Sequence, residues 1–208
     1  MAKRIYNLVI VDESGSMCVI EEQALAGINE TLQTIVAMQD KYKDMEQTVN
    51  LLLFDSDHQT FVYDNAPAAK VRPLKKNQYN PGGATPLYDA IGKGIAKVNA
   101  LAGADDSVLV TIITDGYENC SREYNLTMVK NLIEKLKKNN WTFTFIGTDD
   151  LDVEGMAQQL NIDNSLSFSR DVEGTKRMFR SERIARGKYY ARRHNDEEEE
   201  PGSFFRGI

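Results

Sequence analysis

The sequence has 208 residues, of which 41% are hydrophobic, and a formal net charge of −6. Residues 176–208 carry a net charge of +3 and residues 1–175 carry −9, which argues against a general nucleic-acid binder, because affinity for the phosphate backbone comes from clustered Lys and Arg. No apolar run approaches the ~20 residues that a membrane-spanning helix needs, and the two cysteines are too few for a disulfide framework.

The first predicted element is a buried strand over Ile5 to Val11, a run rich in β-branched residues. It ends abruptly in a loop that reads Asp12-Glu13-Ser14-Gly15-Ser16-Met17. Carboxylate and hydroxyl oxygens are the ligands of hard cations, and glycine lets the backbone turn around one. Because no histidine or cysteine interrupts this loop, it suits an ion such as Mg²⁺ better than zinc.

Helices and strands alternate along the rest of the chain. The predicted helices cover 21–38, 87–101, 126–136, 152–160 and a final segment that begins after an Asp171 cap and runs to about Ala185 or beyond. The further predicted strands cover 48–54, 59–63, 107–114, 141–147 and 165–169, with the strand at 59–63 antiparallel to the one before it. This alternation predicts an α/β fold with a mostly parallel sheet, helices on both faces and right-handed crossovers.

Two later segments bring similar oxygen ligands. A glycine-rich stretch, Pro81 to Asp89, places the Thr85 hydroxyl at the start of a predicted helix, where Pro86 fits the first helical position. The strand at 107–114 ends in Asp115-Gly116. If this strand is the parallel neighbour of the first, ~4.8 Å away, Asp12 and Asp115 emerge side by side, and a cation would relieve their repulsion.

Together these segments resemble the metal-ion-dependent adhesion site of the von Willebrand factor type A (vWA) family. The pattern is Asp12-x-Ser14-x-Ser16, then Thr85, then Asp115-Gly116, in that order, and the resemblance spans roughly residues 3 to 180. It implies that Ser14, Ser16 and Thr85 bind a divalent ion through their hydroxyls, while Asp12 and Asp115 hold it directly or through water. One position departs from the family: Glu13 stands where Thr is frequent, and it adds a negative charge beside the site.

The resemblance also implies the architecture. It predicts a three-layer, doubly wound sheet of six strands in the order 3-2-1-4-5-6, with strand 3 antiparallel. In such sheets ligands bind beyond the carboxyl ends of the strands where the order reverses, and here this lies between the strands that end in Asp12 and Asp115. The topology and the motif therefore predict the same location.

Further polar residues are expected at this edge. Acidic residues follow several strands and would form a negative rim, unless they are ordinary loop residues: Asp55, Asp57, Glu118, Asp149, Asp150 and Asp152. The residues predicted to contact a partner are Glu13, Tyr117, Glu118 and Asn119. Loop residues with no role in binding are the alternative for these as well.

The function expected from the sequence is that of a cytoplasmic, intracellular bacterial-type binding module, not an enzyme. Mg²⁺, or Mn²⁺ or Ca²⁺, would bind the site, and an Asp or Glu of a protein partner would complete its coordination; no nucleic acid or membrane is expected to take part. The alternatives are a Mg²⁺-dependent phosphohydrolase that uses a strand-tip aspartate and a purely structural domain. A serine–histidine hydrolase is disfavoured, because His58 and His194 are the two histidines and no G-x-S-x-G elbow surrounds either serine.

A short glycine motif and the two cysteines lie outside the predicted ion-binding set. Gly92-Lys93-Gly94 lies within a helical pattern and predicts close packing of that helix, not phosphate binding. Cys18 and Cys120 follow the two metal-site loops, and they are either free thiols or a redox-sensitive pair.

The predicted vWA-like domain covers residues 1–186, and residues 187–208 are predicted to be a disordered tail. A basic stretch followed by Asp196 and four glutamates favours disorder. Two alternatives assign the tail a role: Phe204 and Phe205 would form a short peptide ligand, or Glu197–Glu200 would support self-association by reaching the ion of a neighbouring copy.

Overall fold

The computed structural model describes residues 3–197 and 199–208. Its strands are β1 (Lys3–Asp12), β2 (Met45–Phe54), β3 (Gln59–Pro67), β4 (Ser107–Thr114), β5 (Trp141–Thr148) and β6 (Asn164–Phe168). Its helices are α1 (Glu21–Lys41), α2 (Leu87–Asn99), α3 (Leu126–Leu136), α4 (Val153–Gln159) and α5 (Val172–His194), with short 3₁₀ turns at Gly15–Ile20, Ala68–Lys70 and Lys76–Gln78.

The six strands form one sheet in the order β3-β2-β1-β4-β5-β6. β3 runs antiparallel to β2, and every other neighbouring pair is parallel. The predicted fold class and strand order are therefore confirmed. Asp12 pairs in register with Phe54 of β2, and Val11 pairs with Ile113 of β4, so the ends of β1 and β4 meet at one edge of the sheet.

Alternating side chains of the strands pack against the two helical layers. Leu8 and Ile10 of β1 belong to the apolar cluster that includes side chains of α2, α3 and α4. Val9 and Val11 face the other way, into the cluster formed with α1 and α5. All four are at most 1% exposed, and burying a side chain of this size stabilises the fold by about 1.5–3 kcal/mol.

Two glycines permit close contacts within the helical layers. A methyl group on Gly27 of α1 would lie 1.9 Å from the ring of Phe179 in α5, so the two helices could not approach as they do. A methyl group on Gly92 of α2 would lie 2.4 Å from the ring of Tyr124. The prediction that Gly92 serves close packing is confirmed.

The helix starts follow local chemistry. Asp171 caps α5 by accepting a hydrogen bond from the Gly174 N–H at 2.7 Å, as predicted. Asn125 and Asp152 cap α3 and α4 in the same way. No helix of the described residues is both long enough and apolar enough to cross a membrane.

A buried ion pair attaches α5 to the centre of the sheet. Arg186 and Glu182 have fully buried side chains, and the Arg186 Nε donates to Glu182 Oε1 at 2.6 Å. The same guanidinium donates to Asn7 of β1 at 3.0 Å and to Thr111 of β4 at 2.9 Å. A buried charge is tolerated only when it is paired and hydrogen-bonded, and this arrangement satisfies that requirement.

The C-terminal segment differs from the predicted disordered tail. The predicted boundary at residue 186 falls inside α5, which continues to His194 because Tyr189 and Tyr190 are fully buried. The chain then returns to the domain: Phe204 is fully buried, and its N–H donates to Asn164 Oδ1 at 3.0 Å.

The basic stretch of α5 and the acidic run that follows it do not prevent this packing, because opposite charges pair between them. Arg192 donates two hydrogen bonds to Glu199, at 2.9 and 2.8 Å. Glu198, which belongs to the predicted self-association segment, lies outside the described residues. Self-association through the acidic tail stays a prediction, and within the described residues Glu199 already has a partner in its own chain.

Candidate metal centre

Asp12 occupies the tip of β1 and is held at each of its side-chain oxygens. Its carboxylate accepts from the Ser14 N–H at 2.7 Å and from the Thr114 hydroxyl at 2.5 Å. Its main-chain carbonyl accepts from the Tyr79 hydroxyl at 2.8 Å. The side chain is fully buried, so its position is set before any ligand binds.

Burial changes the acidity of both strand-tip aspartates. It raises the pKa of the Asp12 carboxyl to about 6, against the lowering effect of the hydrogen bonds from Thr114 and Ser14, and the nearby Asp115 charge raises it further. Burial also raises the pKa of Asp115, although the Ser16 hydroxyl and the Arg170 cation oppose the change. A positive ion between these groups would favour their charged forms.

The two serines connect the aspartates. Ser14 Oγ and Ser16 Oγ lie 3.2 Å apart, and Ser16 Oγ donates to Asp115 Oδ1 at 2.6 Å. The structure thus brings Asp12, Ser14, Ser16 and Asp115 into one continuous set of polar groups at the junction of β1 and β4.

Thr85 reaches the same place from the loop before α2. Asn119 holds its backbone on both sides: the Thr85 N–H donates to Asn119 Oδ1 at 2.9 Å, and the Asn119 N–H donates to the Thr85 carbonyl at 3.2 Å. A methyl group on Gly116 would lie 3.0 Å from Thr85 Oγ1. The Thr85 hydroxyl therefore packs directly beside the residue that follows Asp115.

Backbone contacts hold the loop before Thr85 against the β1 loop. The Gly15 N–H donates to the Gly83 carbonyl at 3.1 Å, and the Gly82 N–H donates to the Glu13 carbonyl at 2.8 Å. Gly83 has a φ of +67°, and a Cβ there would lie 2.5 Å from Ser56 Oγ. The positive φ favours glycine at this position.

The donor set fits a hard divalent cation. It comprises two carboxylates and three hydroxyls, which are the ligands that Mg²⁺ and related ions prefer. Asp115 Oδ2 is buried and accepts no hydrogen bond from the described residues, which leaves it with coordinating capacity. The described residues contain no cluster of three or more His, Cys, Asp or Glu that could hold an ion, so binding here would depend on the hydroxyls.

Arg170 is the site residue that sequence reasoning missed. It lies between β6 and α5, and its Nε is 3.4 Å from Asp115 Oδ2. Its Nη2 donates to the Asp115 carbonyl at 2.8 Å and lies 3.0 Å from Asp150 Oδ2. The one sequence signal was a basic residue directly after a strand at the edge where the acids collect.

Most of the predicted partner-contacting residues are used within the fold. Glu13 is buried, and its carboxylate accepts from the Asn80 N–H. Glu118 accepts from the N–H groups of Tyr88, Cys120 and Ser121 at 2.7–2.9 Å. Asn119 positions Thr85, as described above. Tyr117 and Asn119 are the exposed members of this set, and Tyr117 is 53% exposed.

Most of the predicted rim acids also have local partners. Asp55 accepts from the Asp57 and His58 N–H groups in its own turn. Asp149 accepts from Ser169 at 2.9 Å, and Asp152 caps α4. Asp150 pairs with Arg170. These contacts favour the alternative that they are structural loop residues, and Arg170 offsets part of the negative charge.

Asp89 is a second residue that sequence analysis overlooked. It sits in the first turn of α2, and its carboxylate accepts from the N–H groups of Arg122, Glu123 and Tyr124 at 2.7–2.9 Å. Burial acts to raise its pKa, but these three hydrogen bonds outweigh it and the pKa is lowered. Asp89 and Glu118 together tie the loop after β4 to the start of α2.

The two cysteines are free in the structure. Cys18 is exposed and Cys120 is partly buried. The Cys18 Sγ lies 3.4 Å from the Pro81 carbonyl, to which it donates. The redox-pair alternative gains no support from these contacts.

Comparisons with known proteins agree with this architecture. The family model described as von Willebrand factor type A domain matches residues 8–180. No curated protein matches the chain.

Solved structures share the fold at low sequence identity. A von Willebrand factor type A protein from Catenulispora acidiphila is 12% identical with a TM-score of 0.60, covering 88% of this chain and 42% of that one. The pilus adhesin SpaC from Lactobacillus rhamnosus GG is 14% identical with a TM-score of 0.65, covering 90% and 30%. Proximal thread matrix protein 1 from the mussel byssus, with a zinc-occupied metal-ion-dependent adhesion site (MIDAS) motif, is 16% identical with a TM-score of 0.56, covering 86% of this chain and 46% of that one. This chain thus spans less than half of each of these three longer proteins.

Proposed function

The chain belongs to the von Willebrand factor type A domain family, and we propose that it is a metal-dependent module that binds an acidic side chain of a protein partner. The observation that carries this proposal is the convergence of Asp12, Ser14, Ser16 and Asp115, with Thr85 beside them, at one edge of the sheet. These residues come from three separate segments of the chain, and each supplies the oxygen type that a hard cation binds.

Mg²⁺ is the proposed ion, with Mn²⁺ or Ca²⁺ as substitutes. The three hydroxyls bring no charge, so a bound ion would stay electrophilic enough to attract one further carboxylate. The mussel protein with zinc at its MIDAS motif supports a metal role for the equivalent edge of the fold, although its ion differs from the one proposed here. Thr114, Tyr79 and the Ser14 N–H hold Asp12, and the Ser16 hydroxyl holds Asp115 beside it.

The partner would contribute an Asp or Glu, and Tyr117 would lie beside it on the surface. We propose a binding role, not an enzymatic one, in the cytoplasm. Asp12 supports this over the phosphohydrolase alternative, because its carboxylate is fully buried with a hydrogen bond to each oxygen, an unsuitable state for a nucleophile that must reach a substrate.

Calorimetric titration with Mg²⁺ and Mn²⁺ tests the metal role. The wild type should bind one ion per chain, and the Ser14→Ala/Ser16→Ala variant should lose binding. Ser167→Ala, an exposed serine of β6, should bind like the wild type. A wild type that binds neither ion would refute the proposal in favour of a purely structural domain.

The partner role needs a second measurement. A captured partner should dissociate with EDTA, and one Asp→Asn or Glu→Gln substitution in it should remove much of the affinity. Ion-dependent hydrolysis of generic phosphoesters that disappears in Asp12→Ala would instead establish the phosphohydrolase.

A further inference from the structure

Arg170 is the cation nearest to the candidate ion site in the described structure. It reaches Asp115 at two points, with Nη2 donating to the main-chain carbonyl at 2.8 Å and Nε lying 3.4 Å from Oδ2. Its side chain is 27% exposed, whereas that of Asp115 is fully buried. A positive charge therefore already faces the acid that the ion would need.

The Arg170 and Asp115 side chains lie close together but do not form a hydrogen bond with each other. Arg170 Nε and Asp115 Oδ2 are both buried, and neither makes a hydrogen bond to any described residue despite their short separation. The guanidinium directs its hydrogen bonds instead to the Asp115 carbonyl and to Asp150. It neutralises Asp115 electrostatically without occupying the coordinating capacity of Oδ2.

We propose that Arg170 is a built-in counter-cation that competes with the divalent ion for Asp115 and so sets the ion affinity of this site. The inference rests on the proposed function. Arg170 is a positioning residue in this scheme and not a ligand. Two positive charges close to one carboxylate repel each other, and the repulsion is strong where water is largely excluded. Asp150 is the alternative acceptor that keeps the guanidinium paired when an ion neutralises Asp115.

The position of Arg170 links this competition to the segments around α5. It is followed by Asp171, which caps α5, and Asp150 follows β5. A change in how Arg170 divides its contacts between Asp115 and Asp150 therefore acts on the segments that join the last two strands to α5.

The Arg170→Gln variant, which removes the positive charge, tests the proposal. The Arg170→Lys variant, which keeps the charge, is its control. By calorimetry, Arg170→Gln should bind Mg²⁺ at least about tenfold more tightly than the wild type, and Arg170→Lys should stay close to the wild type. Thermal unfolding supplies a second readout. Arg170→Gln should lower the melting temperature in EDTA, since Asp115 loses its counter-charge, but not in saturating Mg²⁺.

A purely structural role for Arg170 would instead lower the melting temperature equally in both conditions, and this would overturn the inference. Unchanged or weaker Mg²⁺ binding by Arg170→Gln, with the wild type binding normally, would also overturn it while leaving the proposed function intact. If neither protein binds an ion, the proposed function fails and the inference falls with it.

Asp150→Asn provides an independent test that does not depend on Arg170→Gln folding. Without Asp150 the guanidinium serves Asp115 alone, so Mg²⁺ binding should weaken. In the Arg170→Gln background the same substitution should have a much smaller effect, which a double-mutant cycle measures. Equal effects in the two backgrounds would mean that Asp150 acts on the ion directly, and this would contradict the competition.

Discussion

Ser16 donates a hydrogen bond of 2.6 Å to the carboxylate of Asp115, a residue 99 positions later in the chain. This single contact joins the loop after β1 to the tip of β4. It also places a hydroxyl and a carboxylate close enough to share one ion. A substitution of Ser16 therefore tests whether this contact contributes to ion binding.

Ser16→Ala should weaken Mg²⁺ binding at least about tenfold, because even the loss of an outer-shell partner costs a metal site 10–100-fold. In EDTA the variant should lose about 1.5–3 kcal/mol of stability, as expected for a hydrogen bond to a charged group. Calorimetry and urea unfolding measure the two effects. Mg²⁺ affinity equal to that of Ser167→Ala would exclude Ser16 from the site.

The raised pKa of Asp12 predicts an unusual pH dependence in EDTA. Its folded pKa is about 6 against an ordinary value of 3.8, so the folded state binds more protons than the unfolded state between these values. Stability should therefore fall as pH rises from 4 to 6, by ~3 kcal/mol in total. Asp12→Asn should flatten the curve, and saturating Mg²⁺ should restore stability at pH 7. A wild-type stability that rises over this range would contradict the assignment, since Asp115 shifts in the same direction.

Glu118 and Tyr117 are adjacent but should behave differently. Glu118→Ala removes the acceptor for the N–H groups of Tyr88, Cys120 and Ser121, so it should cost about 2 kcal/mol or more of stability and weaken Mg²⁺ binding by displacing Thr85. Tyr117→Ala removes an exposed hydroxyl that accepts from the Asp152 N–H at 3.1 Å, so it should cost little stability and leave ion affinity unchanged while weakening partner binding. Equal ion affinities in the two variants would show that Glu118 does not position Thr85 for ion binding.

The buried pair in α5 should show strong non-additivity. Glu182→Leu alone leaves the Arg186 charge buried without its partner and should cost about 3–5 kcal/mol. Glu182→Leu/Arg186→Met removes both charges and should recover most of this loss. Denaturant unfolding of the wild type, both single variants and the double variant measures the coupling energy. A double variant as unstable as the sum of the single ones would mean that the contacts to Asn7 and Thr111 dominate.

Phe204 should contribute to stability although it lies near the end of the sequence. It is fully buried against residues of β1, β4 and α5, and Phe204→Ala should cost about 3–5 kcal/mol. Ile208→Ala, at a position that is 43% exposed, is the matched control and should have little effect. If Phe204→Ala unfolds at the same urea concentration as the wild type, the C-terminal segment does not pack on the domain in solution.

The sequence predicted the helices, the strands and most of the residues that converge at the candidate site because their signals are local. Hydrophobic periodicity marks each element within a window of a few residues. β1 ends in Asp12 and β4 is followed directly by Asp115, and the parallel register that pairs Val11 with Ile113 brings the two acids to one edge. The loop motif in residues 12–16 and the glycines before Thr85 are equally local, since turns and close backbone approach depend on the residues at that point of the chain.

The tertiary structure alone decided which charged side chains are paired. Arg186 meets Asn7 and Thr111, which are 179 and 75 residues away, and Arg170 reaches Asp115 across 55. The described part of the C-terminal segment packs on the domain because Phe204 lies in an apolar site made by distant strands and because Glu199 pairs with Arg192. A side chain's charge and size are written in the sequence, but whether it meets solvent, an opposite charge or a core depends on how remote segments pack, and no local pattern carries that information.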